Sequence, residues 1–385
     1  MPGDWLGMMG GGQLGRMFCH AAQSMGYKVA VLDPDEQSPA GSVAELHIRA
    51  AYEDQDGLAR LAARCKAITT EFENVPAQSL RILAQRSRVC PSGDAVAVVQ
   101  DRIQEKAFID KTGVPVAPYA AIHAGADIAA APDALFPGIL KAARLGYDGK
   151  GQARVQTREQ ALAAFEDFKQ APCVLEAMLP LASEISIVLA RAADGQCVLY
   201  PPARNEHRGG ILAVSTVDQA LVPDALARQA ADAAVAIAGA LDYVGVLCVE
   251  FFILQDGRLV ANEIAPRPHN SGHYTIDACE CSQFELQVRA MTGLPLVVPR
   301  QHSPAIMLNL LGDLWFAPVS GRPVEPAWAR VLALPGTHLH LYGKTEARRG
   351  RKMGHLNITG PSAEAVRAVA AQAASLLGLP DSTAC

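Results

Sequence analysis

GVLCVEFFILQDGRLVANEIAPRPHNSGH, residues 245–273, is the stretch whose pairing decides the fold. Two apolar runs, Val246–Leu254 and Arg258–Ile264, flank Asp256-Gly257, a dipeptide that favours hairpin turns. Folded at that turn, the two strands lie side by side. Glu250 stands six residues before the turn and Glu263 six after it, which predicts neighbouring rungs on one face. Facing carboxylates repel, so a cation is expected between them. Magnesium fits, because it takes hard oxygen ligands and brings substrate phosphates with it. Asn262 adds a third oxygen beside Glu263. The bland alternative is two glutamates that solvate a sheet face.

The chain then runs through Ala265-Pro-Arg-Pro-His-Asn-Ser-Gly-His273. Pro266 and Pro268 cannot continue a ladder and hold the backbone to a fixed course. They present the donors Arg267, His269, Asn270 and Ser271 just beyond the expected metal position. Such a set suits an anionic substrate activated there.

Composition bounds the rest. With 385 residues the chain suits two or three domains, and at 50% apolar content it can bury a sizeable core. A net charge of −5 gives no general reason to expect nucleic acid or an anionic membrane as partner. The nine cysteines are odd in number and scattered, with no CxxC pair, as for thiols in a reducing compartment. No basic leader with a long apolar stretch opens the chain, and no 18-residue apolar run follows. A soluble, cytoplasmic protein is expected.

Before the decisive stretch, Leu6–Met9 reads as a strand and Gly10-Gly-Gly-Gln-Leu-Gly15 follows, then a helix Arg16–Gly26 and a strand Lys28–Leu32 ending at Asp33. This matches G-x-G-x-x-G with an acidic residue downstream, the dinucleotide pattern. The pattern specifies only a tight turn at a helix N-terminus that lets a phosphate approach. The strand Ala67–Thr70 leads into Glu71-Phe-Glu-Asn-Val-Pro76 and places Glu73 where open α/β sheets bind ligands. Alternation up to about residue 98 predicts a small doubly wound domain. Asp94 is expected to cap one helix running to about Lys111, with Arg102 and Lys106 on a shared face. A strand ending at Lys141 precedes a glycine-rich loop, Arg144–Gln152, which can wrap phosphates but lacks the P-loop ending. Glu176 and Glu184 sit on later strands and could hold ribose or an amine, or be surface charge. Asn205, Glu206 and His207 read as a polar loop. Beyond Pro299 three strands are expected, two of them flanking KTEARRGRK at 344–352. That basic connector suits a substrate phosphate, with a solvated turn or a nucleic-acid patch as alternatives.

Taken together, these residues resemble the ATP-grasp superfamily. Within it the chain is similar to the N5-carboxyaminoimidazole ribonucleotide synthetases of purine biosynthesis. GGGQLGRM at 10–17, TEFENV at 70–75, GYDGKGQ at 146–152, NEIAPRPHNSGH at 262–273 and GRKMGHLN at 350–357 match in order, over nearly the whole chain. The resemblance implies a mixed α/β and α+β architecture: a Rossmann-like pre-ATP-grasp domain at 1–98, an ATP-grasp domain at 99–298 with a lid at about 115–172, and a C-terminal domain at 299–385. It implies ATP and Mg2+ as cofactors, and aminoimidazole ribonucleotide and bicarbonate as substrates. It implies a cytoplasmic homodimer with neither nucleic-acid nor membrane partners.

By motif, ATP contacts are implied for Arg102, Lys141, Gly146, Tyr147, Asp148, Gly149, Lys150, Gly151, Gln152, Glu176, Ala177, Met178, Leu179 (by backbone), Glu184, His207, Asn262 and Glu263. Glu250 and Glu263 are implied as magnesium ligands. Arg267, His269, Asn270 and Lys344 are implied for bicarbonate and its activated form. Gln13, Leu14, Glu73, Tyr147, Arg154, Lys344 and Arg351 are implied for the ribonucleotide. The resemblance moves the glycine-rich start from a nicotinamide cofactor to the substrate side. Three rivals are a formate-using relative, an NAD-dependent oxidoreductase resting on residues 10–15 and Asp33, and a non-catalytic relative.

Overall fold

In the computed structural model, which describes residues 2–144, 146, 151–218, 220–317 and 321–380, three sheets organise the chain. The first is parallel, with strands in the order Leu46–Ile48, Lys28–Leu32, Trp5–Met9, Ala67–Thr70, Arg88–Val89. The order reverses between Trp5–Met9 and Ala67–Thr70, which makes the crevice at their C-terminal ends a natural ligand position. Gly10–Gly12 and Glu71–Glu73 lie there. The helix Gln13–Ser24 begins three residues earlier than its apolar pattern suggests, with Gly12 as its N-cap.

A small antiparallel sheet, Tyr119–Ile122, Cys173–Ala177, Gly138–Ala142 and Gln152–Val155, carries Lys141 and Glu176. The third sheet is long. Its path runs Leu259–Ala265, Gly245–Leu254, Leu181–Arg191, Ala203–Arg208, Ile211–Val217, Ala305–Leu311, Lys352–Thr359, Thr337–Leu341, with Cys197–Leu199 paired to one side. It passes without interruption from the segment before residue 299 into the segment after it. The helix Asp224–Ala240 covers one face, burying Ala230, Ala234 and Ile237 among side chains that include Leu247, Val249 and Phe251. Burying a side chain the size of Phe251 contributes about 2–3 kcal/mol, so this layer holds the central strands in register.

The decisive hairpin forms by a route that differs from the simple two-residue turn. Its loop has three residues: the Leu254 N–H donates to the Arg258 carbonyl at 2.9 Å and the Gly257 N–H to the Leu254 carbonyl at 2.9 Å. Gly257 has φ 83°, a conformation that favours glycine. Near the turn Phe251 therefore faces Ala261, and continuation of that register would set Asn262 opposite Glu250. A bulge intervenes between these rungs, and Glu250 pairs with Glu263 instead. The Ala261 N–H beside it donates to the Pro115 carbonyl at 2.8 Å. The expected carboxylate pair thus exists because the extra loop residue and the bulge offset each other.

Two further expectations need correction. The single helix capped by Asp94 is two helices, Gly93–Val99 and Arg102–Lys111, capped by Ser92 and Asp101. Asp94 lies inside the first helix and pairs with Arg81 at 2.7 Å. The break between the helices lets Arg102 begin a new helix directed at the site. Asn205, Glu206 and His207 form no loop; they belong to the strand Ala203–Arg208. None of the described helices is long and apolar enough to cross a membrane.

Candidate active site

Three groups of side chains come together around the hairpin and the helix Arg102–Lys111. At the hairpin, Glu250 is 8% exposed, and its Oε1 lies 3.1 Å from His269 Nε2. Burial would raise this carboxyl, but His269, and beyond it His207 and Arg267, hold it below the usual range. Glu263 Oε2 accepts from Arg102 Nη1 at 3.0 Å. Next to it, the Asn262 side-chain oxygen is buried with no hydrogen-bond partner. Two facing carboxylates and an unpartnered amide oxygen are the donor set of a hard cation, so the residues fit magnesium. Among the described residues no group of three or more His, Cys, Asp or Glu could hold a metal by itself.

The proline-bounded loop supplies the second group. Arg267 Nε donates to Glu73 Oε2 at 2.7 Å. Burial opposes ionisation of Glu73, but the guanidinium outweighs it and holds the carboxyl at about 2. His269 Nδ1 stands 2.8 Å from Ser271 Oγ, which accepts from Ser186 Oγ at 2.7 Å; Ser186 in turn accepts from Asn205, and Asn205 from Ser215. Gln283 clamps the loop from behind, accepting the His269 N–H at 2.9 Å and donating to the His269 carbonyl at 2.7 Å. Asn270 is buried with both side-chain polar atoms unpartnered, an expensive state in a dry interior and a reason to expect a polar ligand.

The third group spans the small sheet and the helix Arg102–Lys111. Lys106 and Lys141 approach the same oxygen, Glu176 Oε2, at 3.3 and 3.2 Å. Burial would raise the Glu176 carboxyl, but the two ammonium groups pull it below normal. Burial pushes Lys106 down despite Glu176, since one carboxylate cannot fully compensate two buried cations. That surplus of positive charge suits a phosphate. Glu184 lies further along the sheet, with His207 Nδ1 2.6 Å from its Oε2. Burial would lower His207, but the bond to Glu184 and the charges of Glu250 and Glu184 together outweigh it and the net shift is upward.

Arg102 Nη2 reaches the Gly146 carbonyl at 3.5 Å, and the Gly151 carbonyl accepts from Ala142. Gln152 pairs with Lys141, and Arg154 with Ile139, across the small sheet. Ala177, Met178 and Leu179 run out of the strand Cys173–Ala177, with Met178 37% exposed. Lys344 Nζ donates to Gln13 Oε1 at 2.8 Å and to the Lys352 carbonyl at 2.6 Å, so the basic connector folds back onto the first helix. Arg351 Nη1 donates to the Glu346 carbonyl at 2.9 Å. Leu14 is buried in the same first turn as Gln13. Tyr147, Asp148, Gly149 and Lys150 lie outside the described residues.

Sequence reasoning missed several contributors. Lys106 shares a helix face with Arg102, but its spacing does not reveal that it reaches Glu176. Glu105 is buried, which pushes its carboxyl up to about 8, and it accepts the Ile264 N–H at 2.6 Å, pinning the strand that carries Glu263. Nothing in the local pattern around Glu71 marks its role. Its carboxylate accepts from the Gly12 N–H, and from the Gly15 N–H at 2.8 Å; Asp33 takes the Gly11 N–H at 2.7 Å. The N–H groups that a dinucleotide phosphate would need are thus turned to the protein's own carboxylates, against the oxidoreductase rival.

Known families match the same layout. Residues 4–100 match the ribonucleotide synthetase preATP-grasp domain, 107–284 the ATP-grasp domain, and 305–369 the phosphoribosylaminoimidazole carboxylase C-terminal domain. The chain is therefore an ATP-grasp protein in fold. It is 45% identical over 363 residues to the N5-carboxyaminoimidazole ribonucleotide synthase of Brucella melitensis, covering 94% of this chain and 97% of that one. To the Bacillus subtilis enzyme of the same name it is 40% identical, covering 92% and 91%. The chain belongs to the N5-carboxyaminoimidazole ribonucleotide synthase family. A solved Staphylococcus aureus N5-carboxyaminoimidazole synthetase complexed with ADP superposes with TM-score 0.88 at 36% identity, over 97% of each chain. The Aspergillus clavatus N5-carboxyaminoimidazole synthase, in complex with ADP and 5-aminoimidazole ribonucleotide, gives TM-score 0.88 at 30% identity, over 98% of this chain and 99% of that one.

Proposed function

We propose that this chain carboxylates the 5-amino group of aminoimidazole ribonucleotide, using ATP and bicarbonate, as a step of purine synthesis. The observation that carries the reading is the pairing of Glu250 with Glu263 beside the Arg267-Pro-His-Asn270 turn. It sets a phosphate-handling pair next to donors for a small anion. Bicarbonate oxygen attacks the γ-phosphorus of ATP, ADP leaves, and carboxyphosphate results. Carboxyphosphate breaks into CO2 and phosphate, and the amine captures CO2, losing a proton to give the carbamate.

In this reading Lys141 and Lys106 face the nucleotide phosphates and Glu184 holds its ribose. Arg267, His269, Asn270 and Lys344 orient bicarbonate for in-line attack. Such positioning and charge neutralisation supply most of the rate enhancement in phosphoryl transfer. Glu250, Glu263 and Asn262 would hold Mg2+, which when bound neutralises charge on the β- and γ-phosphates. Glu73, Arg154, Lys344 and Arg351, with Gln13 and Leu14, serve the ribonucleotide. A cytoplasmic homodimer is part of the proposal, supported by the family resemblance; solution mass by light scattering tests the dimer.

The testing experiment is ADP release with ATP, magnesium and bicarbonate, with and without the ribonucleotide. Strong stimulation that also requires bicarbonate is the expected result, and its absence with ATP still bound would overturn the substrate assignment. A narrower prediction concerns Arg351, in the basic connector. Arg351→Ala is expected to raise the KM for the ribonucleotide about tenfold while changing that for ATP little, the loss of a charge-assisted phosphate contact. Steady-state kinetics in both substrates checks this, and the reverse ordering contradicts the assignment.

A further inference from the structure

The glycine-rich loop holds an acidic side chain of its own, whose carboxyl burial pushes up against the opposing pull of the Gly15 and Gly12 N–H groups. Glu71 is buried, its two oxygens take the Gly12 and Gly15 N–H groups, and these lie at the positive end of the helix Gln13–Ser24. The glycines make room for that carboxylate. A Cβ on Gly12 would stand 2.5 Å from Glu71 Oε1, and one on Gly10 would stand 2.6 Å from Glu71 Cγ. Between Gly12 and Gly15 lies Gln13, whose Oε1 receives the Lys344 ammonium at 2.8 Å. Two residues beyond Glu71, Glu73 receives Arg267 at 2.7 Å. One short segment thus braces both the first helix and the anion-binding turn.

We propose that Glu71 is a positioning residue for the ribonucleotide half of the site: its carboxylate is the resident anion of the glycine-rich loop and, by fixing the turn around Gln13, sets the place of Lys344. The inference rests on the ribonucleotide assignment made above and adds a residue that touches no substrate. Its effect travels through one backbone turn and one side-chain hydrogen bond. It therefore falls on ribonucleotide binding and spares the nucleotide side, which is built on the small sheet and the hairpin.

The test uses the full chain. Glu71→Gln removes the charge and one acceptor, and is expected to raise the ribonucleotide KM about tenfold while leaving the ATP KM within about twofold. An unchanged ribonucleotide KM, or equal shifts in both KM values, overturns the proposal. Glu71→Gly vacates the loop, and added acetate is expected to restore the ribonucleotide KM and raise the melting temperature, where chloride at equal ionic strength does neither. A folded Glu71→Gly protein indifferent to acetate overturns the resident-anion assignment, whatever the substrate proves to be. Should Glu71→Gln fail to fold, Glu71→Asp keeps the charge but shortens the reach to the Gly12 and Gly15 N–H groups, with the same split expected. A wild-type chain without ribonucleotide-stimulated ADP release counts against the functional reading, and the acetate series still decides the role of Glu71.

Discussion

Glu263→Gln is expected to lower turnover by about two to three orders of magnitude, the range seen when one preorganised electrostatic element is removed from a site that stabilises developing charge. The substitution keeps the shape of the side chain and the bulge that presents it. It removes the charge opposing Glu250 and unbalances the Arg102 contact at 3.0 Å. Raising magnesium should recover little, because a neutral amide is a poor ligand for a hard cation. Initial rates of ADP release across a magnesium titration measure this directly. Near-normal activity would remove Glu263 from the metal pair.

The second large effect is on stability. Glu176→Gln leaves Lys106 and Lys141, whose side chains are 2% and 12% exposed, without their shared counter-charge. Breaking a buried pair by removing one partner costs about 3–5 kcal/mol, and two cations on one carboxylate put this site within that range. The double substitution Glu176→Gln with Lys106→Met should recover much of the loss, since it removes a charge that no longer has a partner. Urea denaturation of the two single variants and the double gives the coupling energy. A cost below about 1 kcal/mol for Glu176→Gln would mean that the triad is already solvated. The pH dependence follows from the sign of the shift. The Glu176 carboxyl is lower in the folded chain than its ordinary 4.5, so its stabilisation is present above pH 4.5 and is lost as pH falls through the folded value. That part of the acid limb should be missing in Glu176→Gln.

The sequence carried the site unevenly. The two apolar runs around Asp256-Gly257 announced a hairpin, and counting outward from the turn brought Glu250 to Glu263. The pairing is right, but the count succeeded by two compensating irregularities, neither of which short-range pattern encodes. A third loop residue depends on Gly257 adopting φ 83°, and the bulge sits where the Ala261 N–H turns to Pro115, some 146 positions earlier in the chain. The break that turned one expected helix into two follows the same logic in reverse. Asp101 is as good a cap as Asp94, and only the tertiary target of Arg102 shows which of them is used.

Residues that act at a distance were the hardest to read. Lys106 has an unremarkable helical neighbourhood, and its partner Glu176 is 70 residues away. Glu71 lies 56 positions from Gly15 and looks like an ordinary strand-end acid until the sheet order sets the two side by side. The glycine pattern was legible as a place where an anion meets a helix N-terminus. That the anion belongs to the protein was not, because the motif constrains the cradle and says nothing of its occupant.

The unbroken path of the long sheet also bears on how the protein can be divided. Val214–Val217 hydrogen-bond with Ala305–Leu308, so a chain ending near residue 300 would uncover a row of unpaired main-chain groups along Ile211–Val217. Exposed apolar edges of that kind recruit other strands. The last eighty residues are therefore no detachable module to be trimmed or exchanged between relatives at will. A graft would have to restore that seam rung for rung, or the recipient would find its missing strand in a neighbouring molecule and precipitate.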